Sequence, residues 1–240
     1  MKTLLLLGIF HIIGDYYLQS ANLAIKKENS KGSLLIHAAL YAFSMGIVFL
    51  CAPFVPALIS WAIISLTHLI IDTIRISFDK KHEKLKLLTF VIDQCLHLLI
   101  IFGCFMLFLR FRQGIIQQYL YTVAWFRTLL VYITIFSIII KPTAVFISRV
   151  FIYRFPQVKN GNDENKDIGT GTWIGILERI IVVTLVLLNA PSAIGFVLTA
   201  KSIARFKQLD DQEFAERYIV GTLLSVGIAL AAALLITKIV

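Results

Sequence analysis

Charged residues are scarce in this chain, and cysteine is scarcer still. Only 15% of the 240 residues are Asp, Glu, Lys or Arg, against 58% hydrophobic. With a mean hydropathy of +0.84, there is too little polar surface to cover a soluble fold of this size. Cys51, Cys95 and Cys104 are odd in number, sit in apolar runs and form no Cys-x-x-Cys. That argues against a disulfide framework and against thiolate zinc ligation, and leaves them as packing residues. Acidic groups are few, 14 against 23 Lys and Arg, for a net charge of +9. The basic excess lacks the interleaved aromatics of a nucleic-acid groove, so nucleic acid is not an expected partner. It suits cytoplasmic loops and anionic lipid better.

What the chain has instead is long apolar runs. About 20 apolar residues span a bilayer as a helix, and the runs predict an all-α, polytopic transmembrane bundle of about eight helices. The first covers 3–19; it resembles a signal peptide, but His11, Gly14 and Asp15 follow the apolar run directly and no small-x-small cleavage site is present. The second covers 33–51 and closes at a turn formed by Pro53 and Pro56. The third covers 57–76, the fourth 87–109 and the fifth 121–140, the last stopping at Lys141-Pro142 because proline breaks the helical ladder. The stretch 143–155, with Arg149 and Arg154 among apolar residues, reads as an interfacial amphipathic helix. A polar, Gly-containing stretch, 160–172, reads as a cytoplasmic linker. The run 173–206 is too long for one span and has Asn189-Ala190-Pro191-Ser192 at its middle, so it reads as a hairpin of two helices; the last span is 219–239. The expected domains are a four-helix unit over 1–112, a fifth transmembrane helix plus the interfacial helix over 113–159, the linker over 160–172 and a three-helix unit over 173–240. Placing both termini outside puts most of the Lys and Arg in cytoplasmic connections, as the positive-inside rule requires. The expected location is therefore a membrane, crossed several times.

Inside these greasy segments stand His11-x-x-x-Asp15, His37, His68-x-x-x-Asp72 and the reversed Asp93-x-x-x-His97, which use four of the five histidines. Ionisable groups at membrane depth are costly and by default mark function. Residues four apart share a helix face. With the fourth helix antiparallel to the first and third, the reversed order puts Asp15, Asp72 and Asp93 in one layer. His11, His68 and His97 form the next, with His37 beside them, in the cytoplasmic third of the membrane. Imidazole plus carboxylate suits a transition metal, zinc first and manganese or iron next, as one or two ions. The competing structural reading, interhelical hydrogen-bond glue, explains the matched order less well. One of the three aspartates is a candidate general base. Arg179, Lys201 and Arg205 are candidates to flank the metal pocket and hold an anionic substrate group such as phosphate, against a plain anchoring role. Gly14, Gln19 and Gln94 are expected to pack or hydrogen-bond near the ligands, Thr222 and Ser225 to pack helices, and His82 to be solvated.

The segments His11-Ile12-Ile13-Gly14-Asp15-Tyr16-Tyr17-Leu18-Gln19, Asp93-Gln94-Cys95-Leu96-His97, Ile174-Gly175-Ile176-Leu177-Glu178-Arg179, Ala200-Lys201-Ser202-Ile203-Ala204-Arg205-Phe206 and Gly221-Thr222-Leu223-Leu224-Ser225 resemble, over most of the chain, a family of bacterial membrane proteins known as domain of unknown function 3307. The resemblance implies a multi-pass protein of the bacterial inner membrane and no particular reaction. In motif style the His-x-x-x-Asp habit is also similar to that of bacterial inner-membrane metal-dependent hydrolases. The expected function is a membrane-embedded, metal-dependent hydrolase acting from the cytoplasmic side on a phosphorylated or lipid-linked substrate. A metal-ion or proton transporter is the alternative, and a non-catalytic membrane partner with a structural polar site is the third reading.

Overall fold

The computed structural model describes residues 2–110, 122–155 and 164–239. Among them the chain is all helix, with no strand. It divides into two compact units, Met1–Thr134 and Ile135–Val240. Among the described residues, five helical spans are long and apolar enough to cross a membrane: Lys31–Cys51, Phe54–Asp79, Glu83–Phe108, Trp125–Arg154 and Gln212–Leu235.

In the first unit, α1 (Lys2–Ile12) runs into a π-helical turn, Ile13–Tyr17. A short α2 (Ala21–Lys26) is capped by Ser20, whose Oγ accepts from the Leu23 N–H at 3.2 Å. Helix α3 (Lys31–Ser44) continues through a 3-10 turn into α4 (Val48–Cys51). Helix α5 (Phe54–Asp79) and helix α6 (Lys86–Phe108) complete the unit's bundle. Pro53 is the residue before α5 and Pro56 lies in its first turn, where the missing N–H would have no helical partner in any case. The third span therefore starts three residues earlier than the prolines suggested.

The distribution along α5 is inverted relative to a soluble helix. Ser60, His68 and Asp72 are buried, while Leu66, Ile70 and Ile74 are each more than half exposed. Such an apolar exterior is stable against lipid rather than water, and the chain is a membrane protein on this ground. The core of the unit is formed by Leu7, Tyr41, Met45, Val48, Ile64, Ile101 and Phe105 with their neighbours. Trp61 Nε1 donates to the Ala42 carbonyl at 2.7 Å, and Ser44 Oγ donates to the Phe10 carbonyl at 2.6 Å, tying α5 to α3 and α3 to α1.

Three sequence expectations need revision. Helix α7 (Ala124–Arg154) is continuous, with Pro142 inside it, so no separate interfacial helix begins at 143. The ladder survives because the freed carbonyl finds another donor, as membrane helices require. Proline offers no N–H to the Ile138 carbonyl, and the Thr143 hydroxyl donates to that oxygen at 2.9 Å. From α8 (Glu164–Leu187), Arg179 donates through Nε to the Ile139 carbonyl at 2.5 Å and through Nη2 to the Ile140 carbonyl at 3.3 Å. Helix α8 also begins at Glu164, inside the stretch read as a linker; 160–163 lie outside the described residues. Finally, the chain does turn near Asn189, the one non-glycine residue with positive φ among those described, at 56°, a conformation asparagine tolerates. The helix that follows, α9 (Ser192–Ala204), has only 13 residues, fewer than the roughly 17 needed to cross a bilayer.

The second unit is completed by α10 (Gln212–Ile239), which packs along α8. Gly221 permits close approach: a Cβ there would lie 2.9 Å from the Phe151 ring.

A candidate metal centre in the first unit

The centre starts from a bulge. At the π turn the Leu18 N–H reaches back to the Ile13 carbonyl at 2.8 Å, an insertion that membrane and soluble helices alike often place at functional sites. Gly14 lies within it, and a Cβ there would be 3.0 Å from Tyr41 Cδ2 and 3.1 Å from Ser44 Cβ. The glycine thus lets α1 and α3 close on each other and delivers Asp15 to His37. A Gly14→Ala chain is expected to lose about 1–3 kcal/mol, measured as a lower unfolding midpoint in detergent, because part of the clash is with the Tyr41 backbone rather than a movable side-chain tip.

His11, Asp15, His37, His68, Asp72, Asp93 and His97 are all buried and all meet in this unit. The helix directions follow from their contacts. His68 faces His97 (ring centroids 4.5 Å apart) while Arg75, one turn past Asp72, reaches Asp93, so α6 runs antiparallel to α5. His11 neighbours His97 (5.7 Å) while Gln94 Nε2 donates to Asp15 Oδ2 at 2.9 Å, so α6 is antiparallel to α1 as well. The imidazoles of His11, His68 and His97 therefore occupy one level and the three carboxylates the next. His37 bridges the two levels: its Nε2 lies 3.1 Å from His68 Nε2 and 3.4 Å from both Asp15 Oδ1 and Asp72 Oδ2.

One Nε2 carries at most one proton and cannot satisfy three such neighbours. Ligand atoms around a tetrahedral zinc, each bonded at 2.0–2.1 Å, are separated by about 3.3 Å, the spacing found around His37. Two sets of ligand atoms, Asp15, His37 and His68, and His68, Asp72 and His97, lie within 4.8 Å of one another. His97 Nε2 and Asp93 Oδ1, 3.6 Å apart, have no hydrogen-bond partner among the described residues, as befits atoms that await a ligand. The donor set therefore fits a transition metal. The Nδ1 atoms of His37 and His68 have no partner among the described residues either. In place of the usual outer hydrogen bond, the Tyr41 ring stacks on His68 at 3.6 Å with an interplanar angle of 7° and holds its plane.

His11 and Asp93 stand outside both sets. His11 Nδ1 pairs with the Tyr41 hydroxyl at 3.0 Å. Asp93 Oδ2 accepts from Gln94 Nε2 at 3.0 Å and from Arg75 at 3.5 Å. Three participants were not anticipated. Tyr41 sits one turn beyond His37, and Arg75 lies on the buried stripe His68-Asp72-Arg75, so helical spacing held a signal for both. Lys27, in the polar stretch that follows the first span, is buried between exposed Lys26 and Glu28 and donates to Asp72 Oδ2 at 3.0 Å; its local sequence holds no hint of this.

The residues expected to hold an anion belong to the second unit. Arg179 is only 2% exposed and serves the α7 carbonyls and Ser225 Oγ, the latter at 3.1 Å. Lys201 pairs with Glu178 Oε2 at 2.7 Å and donates to Thr222 Oγ1 at 3.0 Å. Arg205 is half-buried, reaching Gln208 Oε1 at 3.5 Å and lying over the Phe214 ring.

Residues 3–127 match the model of one family, described as Protein of unknown function (DUF3307). The matched region contains every member of the His/Asp centre and ends before the C-terminal segments that share in the resemblance. No curated protein and no solved structure matches the chain, so the likeness to inner-membrane hydrolases rests on motif spacing alone. By a match spanning just over half its length, and by carrying the whole His/Asp constellation inside that match, the chain belongs to the DUF3307 family.

Proposed function

We propose that the chain is a bacterial inner-membrane metalloprotein that uses a divalent transition metal, zinc first, to hydrolyse a phosphorylated or lipid-linked substrate at the cytoplasmic side. The observation that carries this reading is the convergence of imidazole nitrogens and carboxylate oxygens at metal-ligand spacing, with His97 Nε2 and Asp93 Oδ1, 3.6 Å apart, lacking a hydrogen-bond partner among the described residues. Two histidines and a carboxylate form a ligand set that hydrolytic zinc sites use, leaving a fourth position for water or substrate. A metal held there by these residues would lower the pKa of a bound water and polarise the scissile group. Asp93, outside both ligand sets and hydrogen-bonded by Gln94, is the carboxylate best placed to accept the proton from that water. Lys201, paired with Glu178 and Thr222, and Arg179, committed to the α7 carbonyls, belong with Arg205 to the second unit and form no part of the proposed site.

Protein purified without chelator is expected to contain zinc, manganese or iron by elemental analysis. It is also expected to release phosphate from a polyprenyl phosphate in detergent, with the activity lost to chelator and restored by metal. A metal-free preparation that also fails to take up added zinc overturns the reading.

One observation favours the alternative, a metal-ion or proton transporter. Every member of the centre is at most 8% exposed, which suits an ion more readily than a bulky substrate. Metal-loaded protein with no hydrolysis, together with metal uptake by proteoliposomes, selects it.

A further inference from the structure

The two ligand sets are not equivalent. They share His68, and they differ in what already sits on their carboxylates. In the second set, His68, Asp72 and His97, the only carboxylate is Asp72, and both its oxygens face fixed cations. Lys27 Nζ is 3.0 Å from Oδ2, and Arg75 Nη2 is 3.3 Å from Oδ1. In the first set, Asp15 Oδ1 points at His37, and Oδ2 accepts from the neutral amide of Gln94.

We infer that the centre holds one divalent ion, ligated by Asp15, His37 and His68, and that the Lys27 ammonium occupies the place a second ion would take at Asp72. The inference rests on the metal-site reading above and sharpens it from one or two ions to one, in a named position.

Charge supports the assignment. Asp15, Asp72 and Asp93 face Lys27 and Arg75, a net charge of −1; one divalent ion reverses it to +1, whereas two leave +3 in a low-dielectric interior. Delivery supports it too. The other members of the centre arrive on the bundle helices or on the π turn that continues α1. Lys27 follows directly after α2, flanked by exposed residues, and sends a long, flexible chain inward as a compact point charge, the property that lets lysine stand in for a metal ion.

The test is metal stoichiometry at saturating zinc, measured after desalting on the full chain in detergent. The wild-type chain is expected to bind one ion and Asp15→Asn none. Lys27→Met is expected to bind two, because it removes the ammonium while keeping the length of the side chain. Wild-type protein that binds two ions overturns the one-ion inference and leaves the metal-site reading standing; wild-type protein that binds none overturns both. Lys27→Met that stays at one ion overturns the role of Lys27. If Lys27→Met does not fold, Lys27→Arg keeps the charge and is expected to hold one ion; two ions there overturn the inference equally.

Discussion

Replacing His68 with alanine is expected to empty the metal centre. His68 belongs to both possible ligand sets and is held in plane by the Tyr41 ring. Outer-shell changes alone cost metal sites about 10–100-fold in affinity, so loss of a shared ligand should cost more than about 100-fold. Isothermal titration or competition with a chromophoric chelator measures this directly. Asp93→Asn is the control: Asp93 lies outside both sets, so metal affinity is expected to change by less than about tenfold while hydrolysis falls sharply. His68→Ala protein that binds zinc like the wild type places the metal elsewhere and rejects the centre described here.

The second large effect is expected far along the chain, at Arg179. Its guanidinium donates to the Ile139 and Ile140 carbonyls and to Ser225 Oγ. Arg179→Ala removes the guanidinium that donates to two backbone acceptors of α7 next to a proline that already removes one donor. Hydrogen bonds to charged groups contribute about 1.5–3 kcal/mol each, and the variant is expected to lose roughly 3 kcal/mol or more, enough to lower its yield in membranes and its unfolding midpoint in detergent. Because Arg179 is a member of the second unit, metal binding by the His/Asp centre is expected to survive in whatever fraction folds. An Arg179→Ala chain as stable as the wild type denies it the structural role.

How far these features were legible in the sequence differs by cause. The His/Asp set was legible because a four-residue spacing in an apolar run has few meanings, and because the reversed order in α6 matched an antiparallel neighbour. Gly14 and Gln94 could be suspected from their place beside ligands. Lys27 could not, since its burial depends on α2 folding back over the bundle, a tertiary event with no local pattern. The continuity of α7 through Pro142 was hidden for the same reason: its donors are the next residue's hydroxyl and a guanidinium 37 positions beyond the proline. Local rules correctly identify proline as a breaker, and a distant arginine overrides them. The shortness of α9 was hidden because composition counts apolar residues and does not see where Ala204 ends the helix.

The repaired proline in α7 also imposes an order in time. A chain made from its N-terminus presents Ile139 and Ile140 to the bilayer before Arg179 exists, and Ser225 is made later still. Until then this part of α7 lacks the guanidinium's hydrogen bonds, in a medium with no water to replace them. The His/Asp centre has no such wait: its last member, His97, is made well before α7 begins. The first unit can therefore close around its ligands while the second is still being synthesised, as domains that fold in sequence do. The stretch of α7 around Pro142 is then among the last parts of the molecule to settle, although it lies near the middle of the chain.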